Sequence, residues 1–185
     1  MTTDEIKAIQ TEIGAEPDRI WGEESKACCK AFLRSLCSDN PWPHQSQAAE
    51  FYGPHGTNLT RIDVTGLGVR YEGNEVLSVL CHAKVADDLL AILTEISQSP
   101  WADVLSRYAG CYNDRSMIGG NMPSMHTYGV AVDIDPDTNG MHDIWPVRAT
   151  MPWGVLKIWA THGWYSLGPM AGFDAMHTQA TRDCN

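Results

Sequence analysis

The sequence predicts an α+β protein, a small antiparallel sheet with flanking helices preceded by a short helical hairpin, and three observations lead there. Apolar residues recur at helical spacing in several places, among them Ile6, Ile9 and Ile13 and the stretch AKVADDLLAILTEI. Other stretches, RIDVTGLGVRY and VAVDID, alternate apolar and polar residues with the period of a strand. The two kinds of segment do not succeed one another as repeated βαβ units, which argues against a parallel, doubly wound sheet.

In chain order, Ile6, Ile9 and Ile13 predict a first helix closed by Gly14. DRIWG, residues 18–22, reads as a turn, and Ser25 to Leu36 as a second helix with Ala27, Ala31 and Phe32 facing inward. Residues 38–60 carry three prolines, two glycines and many small polar side chains, and read as a linker. From Arg61 the pattern changes to a strand or hairpin, followed by the amphipathic helix of AKVADDLLAILTEI. VLSRYAGCY reads as a strand, SMIGGNMPS as a loop and VAVDID as another strand. PWGVLKIWATHGW predicts a helix with Pro152 in its first turn and a stop at Gly163, and FDAMHTQA returns as a short strand. The expected organisation is a helical hairpin module over residues 1–38, a linker over 39–60 and a main domain over 61–185.

At 185 residues and 43% hydrophobic, the chain can bury one core of ordinary size. Its formal net charge of -10, from 13 basic and 23 acidic residues, speaks against an affinity built on neutralising phosphates, so nucleic acid is not an expected partner. No apolar run approaches the roughly 18 residues of a membrane span, and the opening MTTDEIKAIQ lacks the pattern of an export signal. The expectation is a cytoplasmic product without membrane insertion, acting as a monomer. Six cysteines could form three disulfides, but without an export signal they read as reduced thiols, and the lack of a CxxC pair argues against a Cys-rich zinc site.

The stretch SMHTYGVAVDID, residues 124–135, concentrates chemistry. In a continuous strand, residues seven apart face opposite sides, so His126 and Asp133 converge only if the chain turns between them, and Gly129 has the freedom for that turn. Beyond it, Val130, Val132 and Ile134 should share an apolar face while Ala131, Asp133 and Asp135 share the other. A catalytic zinc commonly takes three protein ligands and leaves one position for water. His126 and Asp133 supply two. FDAMH offers His177 as the third, with Asp174 three residues before it, placed to take a proton rather than to bind metal.

SMHTYGVAVDID resembles the S-x-H-x-x-G-x-A-x-D-x-D signature of zinc peptidoglycan peptidases, the D-alanyl-D-alanine carboxypeptidase and L-alanyl-D-glutamate endopeptidase group that includes many phage endolysins. DAMH is similar to that group's D-x-x-H element, and CYNDRSMIGG to the segment carrying an arginine upstream of the histidine; the resemblance covers roughly residues 60–180. It implies one catalytic Zn2+ on His126, Asp133 and His177, with Asp174 as general base and Arg115 holding a substrate carboxylate or the developing oxyanion. Ser124 would make a substrate contact or a bond supporting a ligand. The implied partner is bacterial peptidoglycan, most specifically its L-alanyl-D-glutamate bond, with the D-alanyl-D-alanine carboxypeptidase reaction as the alternative. An enzyme of this kind accumulates in the host cytoplasm and reaches the wall after the membrane is breached, causing host lysis. Where the group often has Phe and Glu after the last histidine, this chain has Thr178 and Gln179.

The amino-terminal stretch is similar to a peptidoglycan-binding helical module, with Gln10, Gly14, Asp18, Trp21, Gly22, Ser25 and Phe32 in its pattern and Arg19 where glycine is usual. A competing reading of the main site is a zinc-stabilised binding domain without catalysis, as in the amino-terminal signalling domain of hedgehog proteins; Asp174 and Arg115 speak against it, since binding needs neither. DPDTNG, from Asp135, fits the first half of a calcium loop, but its twelfth position is Pro146, where a bidentate glutamate is needed. His82 and His162 read as structural, and Trp145, Trp153, Trp159 and Trp164 as core or cleft walls.

Overall fold

A computed structural model describes residues 1–115 and 123–184. The predicted loop SMIGGNMPS falls almost entirely outside the described residues. The mixed helix and strand composition agrees with the α+β expectation, and every strand pairing among the described residues is antiparallel.

Helix α1 (Thr3–Ile13) begins with Thr2 and Glu5 exchanging capping bonds and ends at Gly14, whose φ of 75° is the left-handed conformation that closes a helix. Helix α2 (Glu23–Ser35) follows the expected turn. Its inward stripe is Ser25, Cys29 and Leu33 rather than Ala27 and Ala31, because those three are four apart and stack on one face, while Phe32 packs at the margin. Gln10 ties the hairpin together from a fully buried position: its amide nitrogen donates to Asp18, the Ile20 carbonyl and Ser25, and its oxygen accepts from the Arg19 backbone.

Residues 39–60, expected as a linker, are folded. They contain helix α3 (Ala48–Tyr52) and two buried anchors, Trp42 and Tyr52. Trp42 donates from its indole nitrogen to the His162 carbonyl, and the Tyr52 hydroxyl donates 2.6 Å to the Ala180 carbonyl. Prolines and glycines shape this segment, but its aromatic side chains have somewhere to go, and burial decides the outcome.

Strand β1 (Leu59–Asp63) pairs with β4 (Ser78–His82), around a small hairpin of β2 (Arg70–Tyr71) and β3 (Asn74–Glu75). Helix α4 (Ala86–Ser97) buries Leu89, Ile92, Leu93 and Ile96, as its periodicity predicted. VLSRYAGCY is a tight 3₁₀ run over Ala102–Arg107 that becomes strand β5 only at Tyr108–Gly110. Strand β6 (Ala131–Ile134), helix α5 (Trp153–Thr161), strand β7 (Tyr165–Ser166), helix α6 (Leu167–Ala171) and strand β8 (His177–Gln179) complete the chain. The four-stranded sheet runs β5-β6-β8-β7, so β6 is an inner strand. Ala131, Val132 and Ile134 are all at most 1% exposed, so both faces of β6 are covered and only Asp133 meets a hollow.

The hairpin and the rest of the chain share one hydrophobic core. Leu33, Ile9 and Ile13 belong to the same buried cluster as Trp42, Leu93, Val132 and Trp159. Across the seam, Trp21 meets Trp145 edge-on at 5.2 Å and Phe32 lies against Trp153, whose indole nitrogen donates 2.8 Å to Glu12. Cys28, Cys29, Cys37, Cys81 and Cys111 form no disulfide among the described residues.

Candidate metal centre

Each predicted ligand is delivered by a distinct local device. Ser124 caps the single turn Met125–Tyr128 by accepting from the His126 backbone, and Gly129 closes it at φ 70°. Gly129 is needed twice over, because a Cβ there would also lie 2.9 Å from the His82 backbone nitrogen. The reversal brings the chain into β6, where Asp133 stands directly opposite His177, the first residue of β8. Two residues from opposite ends of the motif set are thus cross-strand neighbours, and the turn brings His126 onto them.

The hydrogen bonds behind the two imidazoles decide what they present in front. Nδ1 of His126 lies 2.6 Å from the Cys111 carbonyl, which can only accept, so Nδ1 carries the proton and Nε2 offers a lone pair. Nε2 of His177 lies 3.1 Å from the side-chain oxygen of Gln179. That amide is oriented by its other end: its nitrogen donates to the Asp183 carbonyl and to Thr181 Oγ1, whose own hydrogen is given to the same carbonyl. The Gln179 oxygen therefore faces His177, which carries its proton on Nε2 and turns a bare Nδ1 inward.

Nε2 of His126 is 3.2 Å from Nδ1 of His177, and the Asp133 carboxylate bridges them, Oδ2 lying 3.1 Å from the first and Oδ1 3.0 Å from the second. With both imidazoles neutral, the two bare nitrogens and the carboxylate converge with no hydrogen among them, an arrangement that a cation between them satisfies. This buried group can hold a metal ion. The titration behaviour has the same sense. Burial pushes the Asp133 carboxyl upward, but hydrogen bonding with His126 and His177 outweighs it and holds the group well below the usual carboxylate range. Burial would lower His177, yet the hydrogen bond and charge of Asp133 keep it above an ordinary imidazole.

Asp174 lines the same hollow of about 130 Å³ as Asp133 and His177, together with Arg115 and Ser124. Its Oδ1 is buried with no hydrogen-bond partner among the described residues, and burial raises its pKa above the ordinary aspartate value. The residue sits at φ 52°, held by its backbone nitrogen on the Met141 carbonyl. The Arg115 guanidinium has no hydrogen-bond partner among the described residues, and its charge draws the Asp174 pKa down against the larger effect of burial. A second hollow, of about 400 Å³, lined by β4 and β5, shares Arg115 and Asp133 with the first.

Other sequence readings resolve differently. Asp135 points away from the centre, with its carboxylate 3.0 Å from Arg107 Nε and bonded to Thr138. The calcium-loop reading fails on Asn139, whose side-chain oxygen accepts from Thr150 and Met151 backbone groups and is not free for a cation. His82 bonds the Tyr52 carbonyl and Lys84 backbone, and His162 pairs with Asp88, both structural roles. Trp145, Trp159 and Trp164 are core residues, each 1% exposed. Sequence reasoning singled out Gln179 only as a departure from a pattern; period two in β8 puts it on the His177 face, which is the signal for its role. The Cys111 carbonyl and Gln45, which accepts from Gln179 at 2.7 Å, had no such signal. Comparison of the chain with family models, curated proteins and solved structures returned no match.

Proposed function

We propose that the chain is a zinc peptidase that hydrolyses an amide bond in the peptide of bacterial peptidoglycan, as an L-alanyl-D-glutamate endopeptidase. The observation that carries the reading is the convergence of two imidazole nitrogens and a carboxylate on one hollow that also holds the half-buried Asp174, whose Oδ1 is buried without a hydrogen-bond partner among the described residues. Ligands about 2.0–2.1 Å from a tetrahedral zinc stand roughly 3.3 Å from one another, close to the separations seen here, and two imidazoles with one carboxylate leave a fourth position open. When bound, zinc supplies Lewis acidity toward a carbonyl and a water.

The remaining work falls to the chain's own groups. Asp174 takes a proton from the attacking water and returns it to the leaving amine, a role that calls for a carboxylate with a raised pKa. Arg115, always charged and forked, pairs with a substrate carboxylate such as that of D-glutamate, or with the oxygen on which charge develops. Cys111 and Gln179 keep both imidazoles in the metal-binding tautomer. Two hollows with different linings meet at Asp133 and Arg115 and leave room for substrate on more than one side of the reacting bond, which favours cleavage within a peptide over removal of a terminal residue.

The experiment is digestion of purified sacculi by the zinc-loaded protein, with mass spectrometry of the released material. New alanine carboxyl and glutamate amino ends are expected. Release of free D-alanine would assign the carboxypeptidase reaction instead, and intact peptides with zinc in place would leave the site a binding centre without catalysis.

A further inference from the structure

Strand β4 has a free edge beside the metal centre, and its hydrogen-bonding phase can be read residue by residue. Its pairing with β1 sets Leu59 opposite His82, Arg61 opposite Leu80 and Asp63 opposite Ser78. The His82 nitrogen donates away from β1, to the Gly129 carbonyl, whereas the nitrogens of Ala83 and Val64 close bonds within the β1 and β4 pair, to the carbonyls of Asn58 and Leu77. Antiparallel strands alternate between residues that bond their neighbour and residues that face away. Val79 and Cys81 therefore bond β1, while Ser78 and Leu80 turn both backbone groups outward. Among the described residues, no backbone group meets those of Ser78 or Leu80. These residues line the hollow of about 400 Å³ that also holds His126, Asp133 and Arg115.

Resting on the peptidase reading above, we infer that the substrate peptide binds extended along this edge, with one of its residues exchanging two main-chain hydrogen bonds with Leu80. Addition of a strand to a sheet edge draws affinity from main-chain groups and leaves side chains to neighbouring pockets. It suits a peptide of mixed chirality, because pairing at a single residue needs only that residue extended. The edge leads to the metal ligands through one continuous hollow, so a peptide docked there runs its next amide toward Asp133, with Arg115 placed for an acidic side chain.

The test uses the full chain as Asp174→Asn, loaded with zinc and mixed with a synthetic peptide containing the L-alanyl-D-glutamyl bond. Amide hydrogen exchange is followed by NMR. Exchange at Leu80 should slow at least tenfold on binding, while Val79 and Cys81, already paired with β1, stay unchanged. A complementary series N-methylates the peptide amides one at a time and follows cleavage by the unmodified enzyme. One non-scissile methylation should raise KM by about tenfold with kcat unaltered, the loss of a single net hydrogen bond. If the wild-type chain cleaves the peptide but Leu80 does not respond, the edge is not the docking site and the peptidase reading stands. If the chain neither binds nor cleaves it, the peptidase reading falls and the edge proposal with it.

Discussion

Asp133 and His177 face each other across β6 and β8, and the histidine holds Nδ1 3.0 Å from the carboxylate because Gln179 occupies its other nitrogen. The pairing makes metal binding a property of sheet register: a slip of one residue would put His177 on the opposite face.

The purified protein should bind one zinc per chain, measured by elemental analysis. His126→Ala and His177→Ala should each lose metal and activity together, and His162→Ala should keep both, since His162 pairs with Asp88 far from the centre. Affinity should fall on acidification. His177 in the metal-free protein has its pKa above the ordinary value of about 6.5, so proton competition sets in already above that pH and grows as pH drops. Zinc titrations at several pH values check the sign.

Asp174→Asn separates chemistry from stability. The variant should retain zinc while turnover drops by about a hundred- to ten-thousand-fold, the usual contribution of a general base. Burial raises this carboxyl, so its charged form is disfavoured in the folded protein; the contribution of this group to stability is fully present below its unfolded pKa of about 3.9 and is lost as pH rises through the folded value. The amide lacks that penalty. In chelator at neutral pH, Asp174→Asn should thus be at least as stable as the parent, with the difference vanishing at low pH, as thermal melts would show.

Gln179→Ala should weaken zinc binding by about ten- to a hundredfold, the range for losing the partner that orients a ligand. Gln179→Glu should also weaken binding: a carboxylate still accepts from His177 Nε2, but its second oxygen has no hydrogen to give the Gln45 oxygen and the Asp183 carbonyl. Competition with a chelating dye measures both, and an alanine variant with unchanged affinity would remove the outer bond from the account.

Arg19 adopts φ 69° at a position where the resembled module has glycine. A left-handed backbone costs a side-chain-bearing residue about 1–2 kcal/mol, and the partner Asp4 lies in an exposed ion pair worth little. After the entropy cost of glycine, Arg19→Gly should gain about 0.5–1 kcal/mol, roughly 1–3 °C in Tm. Calorimetry decides it.

The sequence exposes what is local and periodic. Helices α1, α4 and α5 follow from apolar spacing, and the turn at Gly129 follows from the need to bring His126 back toward Asp133. It hides what depends on distant partners. Trp42 and Tyr52 look like residues of a loose connector until His162 and Ala180 appear as their acceptors, more than a hundred positions away. The candidate ligands were legible because three chemically distinctive side chains carry them. Their orientation was not, because a backbone carbonyl at Cys111 and an amide held by Asp183 leave no trace in residue type.

The Trp21 and Trp145 contact and the folded stretch after the hairpin change how this chain can be taken apart. Cutting after residue 38 would strip an aromatic partner from a fully buried indole and leave Trp42 and Tyr52 at a raw terminus. A segment fused to this chain belongs outside Met1 rather than in place of the hairpin, since among the described residues the hairpin and the rest share one core.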